Sequence, residues 1–192
     1  KLEFIALMAA LMSVTALAID ALLPALDIIG IDLGVVLQAD NQLLITMIFL
    51  GLGLGPLLFG PLSDAIGRKP SVYMGFSVFL LASFVCVHAT SLEMMIVGRI
   101  LQGIGLSAPR TICIAIIRDL YQGDYMARVM SFVTIVFLLI PIVAPAMGKF
   151  VLDSYSWQAI FYVQAAISVV VTIWFWLRQK ETLAVNNRIP FQ

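Results

Sequence analysis

The sequence predicts an all-α integral membrane protein, a bundle of six transmembrane helices. Three observations carry that reading. The 192 residues are 62% hydrophobic and 11% charged, with a mean hydropathy of +1.07, whereas a soluble domain is about a quarter charged. The apolar residues gather into six runs, and a hydrocarbon core about 30 Å thick needs about 20 helical residues per crossing. Lysine and arginine fall almost wholly on one side of those runs.

The first run, 4–26, is a poor signal peptide. It lacks a basic stretch before it and has Asp20 and Pro24 where a small-residue cleavage site belongs. It reads as a retained span, and the opening Lys1 in place of Met leaves room for residues ahead of it. The second run, 43–62, carries Gly51, Gly55 and Pro56, and the third, 71–89, ends beside His88. The fourth, 92–117, holds Arg99, Gly103, Gly105 and Arg110. In the fifth, 127–152, Pro141 and Pro145 each delete a helical hydrogen bond, so a bend is expected. The sixth, 157–177, completes a membrane domain over 1–178, and 179–192 is a polar tail.

Several function classes recede. Cys86 and Cys113 lie inside apolar runs without CxxC spacing and read as small buried hydrophobes. One histidine cannot build a metal site, so no metal and no cofactor is expected. Net charge is zero and no basic stripe suggests nucleic acid. No nucleophile elbow or phosphate loop is present, so an enzyme is not expected.

Bases collect in cytoplasmic loops. With the amino terminus inside, the inner side receives Lys1, Arg68, Lys69, Arg118, Arg128, Arg178, Lys180 and Arg188, and the outer side only Lys149. The outer connection from Asp27 to Asp40 has three aspartates and no base. Both termini are therefore expected in the cytoplasm.

The densest cluster of special residues is the turn at 60–70, Gly-Pro-Leu-Ser-Asp-Ala-Ile-Gly-Arg-Lys-Pro. Gly60 and Gly67 let a backbone turn and let helices approach. Asp64 can accept backbone N–H groups or pair with arginine. An ordinary hairpin with positive-inside charges accounts for Arg68 and Lys69 but not for the whole arrangement.

This turn resembles the loop between the second and third helices of the major facilitator superfamily, with Ala65 replacing one usual base. Arg99-Ile-Leu-Gln102-Gly103-Ile-Gly105 resembles the fourth-helix motif of that family. Pro141-Ile-Val-Ala-Pro145-Ala-Met-Gly148 and Asp20-Ala-Leu-Leu-Pro24-Ala-Leu resemble the fifth- and first-helix motifs of its drug:proton antiporters. Ile117-Arg118-Asp119-Leu-Tyr121, with Ala127-Arg128-Val-Met-Ser131, resembles the bicyclomycin/chloramphenicol-resistance branch. Nearly the whole chain is covered.

The resemblance implies an amino-terminal half, since the family has twelve helices in two six-helix halves, each of 3+3 inverted repeats. Lys180-Glu181-Thr182-Leu183 resembles the start of the central loop that joins the halves. It implies a multi-pass inner-membrane secondary transporter that moves drugs or small amphipathic molecules out and protons in. The partners implied are a small-molecule substrate, protons, the lipid bilayer, and a missing carboxy-terminal half or a second copy. Two further departures stand out. Lys149 replaces a usual second glycine, which puts helix packing there in question, and Pro56 stands where relatives often carry glutamine.

Ionisable groups within spans are functional candidates by default, because each costs at least about 2.5 kcal/mol near the centre. Asp20 lies about 24 Å along the first helix and Arg99 about 10 Å into the fourth, nearly matched depths at 1.5 Å per residue. A carboxylate and a guanidinium so placed suit a proton site, where separation of the two lets Asp20 take up a proton. Alternatively Asp20 sits at the outer interface and Arg99 is structural. Arg110 follows Arg99 by about three turns, so both leave the same helix face. It either snorkels to the cytoplasm or lines the cavity mouth.

In the family, the loop aspartate and arginine cluster with an acid at the end of the fourth helix. Carried over, the cytoplasmic gate comprises Gly60, Asp64, Gly67, Arg68, Lys69 and Asp119, with Arg118 beside them. It would latch in one state and release in another. Gly103, Gly105, Pro141, Pro145 and Gly148 are packing or hinge positions. The competing reading is a non-transporting membrane module, either a homodimerising half or an isolated fragment, because six helices give one wall of a cavity.

Overall fold

A computed structural model describes residues 2–184, 188 and 189. The inner-side base Lys1 and positions 185–187 and 190–192 of the tail lie outside the described residues. Among the described residues, seven α-helices run α1 (Leu2–Asp20), α2 (Leu26–Asp32), α3 (Leu43–Ile66), α4 (Arg68–Val87), α5 (Leu92–Leu120), α6 (Gly123–Ser154) and α7 (Trp157–Arg178), and there is no strand. Six units of this set are long and apolar enough to cross a bilayer, the first being Leu2–Asp32, which contains α1 and α2, and the second Ala39–Ile66. The expected all-helical bundle of six spans is therefore what forms.

The element limits differ from the sequence expectation at informative places. The first span breaks after Asp20. A turn at Ala21 and Leu22 and a 3-10 helix over Leu23–Ala25 separate α1 from α2. Pro24, which has no N–H to continue a helix, sits in that break. At the other end of the bundle, no loop spans 60–70. Helix α3 runs on to Ile66, α4 starts at Arg68, and Gly67 alone makes the corner with φ +112° and ψ 163°. Only glycine adopts that backbone without strain.

Helix α5 is the central post. Its Gly103 lies so close to α3 that an added Cβ would stand 2.9 Å from Gly51 Cα and Leu52 N. Its Gly105 lies against α4, where a Cβ would meet Gly75 O and Phe79 N at 2.6 Å. Lipid gives helices no hydrophobic drive to associate, so close backbone contact of this kind is what holds them together. The core around α5 contains Phe76, Phe79, Leu106, Ile112 and Phe175, all buried. A second apolar cluster at the Asp32 end packs Leu22, Ile29, Leu44, Met95 and Phe161, and Trp157 Nε1 donates to Asp32 Oδ2 at 2.7 Å across it.

Gly148 of α6 faces the break in α1, where a Cβ would run into the Ala21 carbonyl. Lys149 leaves that contact undisturbed. It points outward and pairs with Asp153 at 2.9 Å, both side chains exposed. Helix α6 continues through Pro141 and Pro145 without interruption. Its face bearing Phe132, Ile135, Leu138, Leu139 and Ile142 is exposed. Gly60, expected to permit a turn or a close helix approach, does neither. It lies within α3, and a Cβ added there would meet nothing within 4 Å among the described residues. Cys86 and Cys113 are buried free thiols.

Candidate functional site

Arg68 is the hub of the Gly67 end. As the first residue of α4 it turns its guanidinium back over the corner, where it is 8% exposed. Nη1 donates to Asp64 Oδ1 at 2.6 Å and to Ser63 Oγ at 2.8 Å, both in the last turn of α3. Nε donates to Asp119 Oδ2 at 3.0 Å and Nη2 reaches Asp119 Oδ1 at 3.5 Å, at the end of α5. Ser63 Oγ donates onward to Gly60 O at 2.9 Å. Only a planar five-donor fork serves three partners in three directions, so lysine is no substitute. The side chain of Asp119 is 22% exposed and that of Asp64 47%, which makes the Asp119 arm the less screened one.

The structure thus brings Asp64, Arg68 and Asp119 together and leaves Arg118 outside their bonds. Lys69 points elsewhere, its Nζ donating to Trp176 O on α7 at 3.3 Å. Arg118 and Arg110 line a cleft of about 550 Å³ between α3 and α5, together with Pro56, Gly60, Asp64 and Thr111. Among the described residues neither arginine meets a carboxylate, while both carboxylates at the cleft rim are bonded to Arg68.

The fourth-helix arginine behaves differently from the sequence expectation. Arg99 is fully buried, and its donors go to Leu44 O at 3.1 Å, Gln102 Oε1 at 2.7 Å and Ala18 O at 3.2 Å. Gln102 Nε2 donates in turn to Ser83 Oγ at 2.8 Å. Arg99 makes no bond to Asp20, so the two groups do not form the expected pair. The break in α1 explains this. The last four carbonyls of a helix lack helical partners, and Ala18 is among them, two residues from Asp20. The guanidinium binds that freed carbonyl. Asp20, partly buried at the break, has no bonded partner among the described residues.

Arg110 also parts from Arg99 despite their common face, being exposed where Arg99 is sealed. Helices α3 and α5 touch backbone to backbone from Ile48 to Gly55, and beyond Ser107 they leave the cleft open.

Two residues of the site escape sequence reasoning. Glu181, in the tail, accepts the backbone N–H groups of Arg68 and Lys69, each at 3.0 Å. Thr182 Oγ1 donates to Asp119 Oδ2 at 2.9 Å, the oxygen that Arg68 Nε also holds. In the sequence these two residues stand out only within the run Lys180–Leu183, and nothing in that run points to Gly67 or Asp119.

Comparison with known proteins leads to the same family. Residues 5–190 match the Major Facilitator Superfamily. Over 174 residues the chain is 33% identical to a bicyclomycin resistance protein homolog of Haemophilus influenzae, covering 91% of this chain and 44% of that protein. It is 32% identical over 153 residues to the multidrug resistance protein MdtL of Klebsiella pneumoniae, covering 80% and 39%. The chain therefore spans less than half the length of these curated relatives. The crystal structure of the human organic anion transporter MFSD10 (TETRAN) superposes with a TM-score of 0.73 at 18% identity, over 98% of this chain and 50% of that one. That likeness concerns the fold. Helix content, corner motif and sequence agree, and the chain belongs to the Major Facilitator Superfamily.

Proposed function

We propose that the chain is the amino-terminal half of a proton-coupled efflux transporter for drugs or small amphipathic molecules. The curated relatives named for bicyclomycin and multidrug resistance support the substrate class. The observation that carries the mechanistic part is the Arg68 hub. One guanidinium ties the ends of α3 and α5 to the start of α4 at the mouth of an open cleft. Charge-assisted bonds of this kind hold firmly when shielded and exchange readily for water when a domain rocks away. In this reading Asp64, Arg68 and Asp119 form the cytoplasmic gate, Gly67 is its corner, and Arg110 and Arg118 face the passage.

Asp20 is the proton-carrying group of the proposal. It is a carboxylate in the break of a spanning helix, two residues from the carbonyl that anchors Arg99. Rearrangement of that break exposes or shields it, which is what alternating proton uptake and release requires. The apolar faces of α3 and α6 meet further helices, supplied by the remainder of a longer polypeptide or by a second copy. Both termini lie in the cytoplasm, and the membrane is the inner one.

Proton-driven efflux in everted vesicles carrying the complete protein tests the proposal. Asp20→Asn with unchanged membrane abundance is expected to abolish transport driven by a proton gradient. Full efflux in that variant would remove Asp20 from the mechanism.

A further inference from the structure

The corner of the gate motif creates a need that its own sequence cannot meet. The first N–H groups of a helix lack internal partners and are ordinarily served by a side chain at the residue before it. Before α4 stands Gly67, whose φ of +112° demands glycine, and no side chain caps the helix from there. The missing acceptor comes from 113 residues away. Glu181 Oε1 takes the Arg68 N–H and Oε2 takes the Lys69 N–H, both at 3.0 Å. A carboxylate at a helix N-terminus is also favoured by the helix dipole.

The carboxylate fits because position 67 has no side chain. A Cβ there would stand 2.8 Å from Glu181 Oε2. The glycine is thus required twice, for its backbone angle and for the space it leaves to a partner from the tail. Glu181 is itself held in shape, since Oε1 also accepts the N–H groups of Thr182 at 3.0 Å and Leu183 at 3.1 Å. The adjoining residue reaches the cluster directly through the Thr182 bond to Asp119 Oδ2. Farther along, Ile189 N donates to Asp64 O at 3.0 Å. All three members of the cluster are therefore touched by the segment that follows the sixth span.

We propose that Glu181 is a positioning residue of the gate, fixing Arg68 through its backbone, so that the chain leaving α7 is mechanically tied to the latch. The proposal rests on the gate reading of Arg68, Asp64 and Asp119. Displacement of the segment frees the first turn of α4 and removes the Thr182 bond from Asp119. Arg68 then loses its fixed approach to both carboxylates. A pull on the tail would loosen the gate, and a closed gate would keep the tail docked.

The test uses the purified chain in detergent micelles, labelled with nitrogen-15. Amide exchange at Arg68 and Lys69 reports the cap, and the Arg68 Nε–H resonance, assigned by its loss in Arg68→Lys, reports the bond to Asp119. Glu181→Ala should speed exchange of both amides about tenfold or more and broaden or shift the Arg68 Nε–H signal toward its position in Asp119→Asn. Glu181→Gln, which retains one acceptor oxygen, should fall between wild type and Glu181→Ala on both readouts. Unchanged amide exchange in Glu181→Ala would overturn the docked segment. Faster exchange with an unmoved Arg68 signal would reduce Glu181 to a helix cap and overturn the positioning role. An error in the gate reading shows itself elsewhere. Asp119→Asn would then leave transport by the complete protein intact, whatever the amides of Arg68 and Lys69 report.

Discussion

Arg68 Nε lies 3.0 Å from Asp119 Oδ2, joining the first residue of α4 to the last turn of α5 across 51 positions of sequence. The same guanidinium holds Asp64 at 2.6 Å on the neighbouring helix. Three helix ends are thus fastened by one buried side chain, at a corner where the chain passes between helices through a single residue, Gly67.

The two carboxylates should not contribute equally. Asp119→Asn leaves a largely buried guanidinium short of its less exposed partner, and is expected to lower unfolding free energy by about 1–3 kcal/mol. Asp64→Asn should cost less than about 1 kcal/mol, because its side chain is half in solvent and screened. Reversible denaturation in detergent, followed by circular dichroism, checks the order, and a larger loss for Asp64→Asn would contradict it.

Arg99 is bound by two backbone carbonyls and one amide oxygen rather than by an acid. Lysine cannot span those three acceptors on three helices, so Arg99→Lys should destabilise the fold by about 1–3 kcal/mol through unsatisfied buried groups. If the variant is as stable as wild type, the bonds to Ala18 and Leu44 carry no structural weight.

The glycines separate into two kinds. Gly103→Ala forces the α3 and α5 backbones apart and is expected to cost about 1–3 kcal/mol. Gly60→Ala has open space beside it within a helix, and should be neutral or stabilising by up to about 1 kcal/mol. Parallel thermal unfolding of the two variants decides. Equal losses at both positions would show that the crossing is not what Gly103 serves.

The spans were legible because membrane-crossing length leaves an apolar run that no soluble element needs. Asp64 and Arg68 stood out as part of a charged, glycine-rich turn, but their cluster with Asp119 was legible only through resemblance. Nothing in their spacing says that Arg68 begins a helix rather than ends a loop. The first N–H groups of α4 are capped by Glu181, and a cap delivered across 113 residues leaves no local pattern. The pairing of Arg99 was missed for a related reason. Its acceptors include the carbonyls of Ala18 and Leu44, and any residue type presents a carbonyl. The first span reads as unbroken over 4–26 in the sequence. The break that holds Pro24, and the freed carbonyl at Ala18 that Arg99 binds, are seen only in the fold.

That Arg68, Asp64 and Asp119 act as a cytoplasmic gate is tested most directly by the accessibility of the cleft between α3 and α5. Ala115, which lines it, is replaced by cysteine in the complete protein, and the protein without that cysteine serves as the labelling blank; Cys86 and Cys113 are buried in this chain. Labelling by an impermeant maleimide from the cytoplasmic side is then timed with and without Asp119→Asn. The cleft is open in this chain with the latch intact, so a gate requires that further helices of the complete protein cover it while the latch holds. Release should then raise the labelling rate about tenfold, as a shift of the open population by about 1.4 kcal/mol does. Identical rates in the two proteins, with both correctly inserted, would contradict the gate.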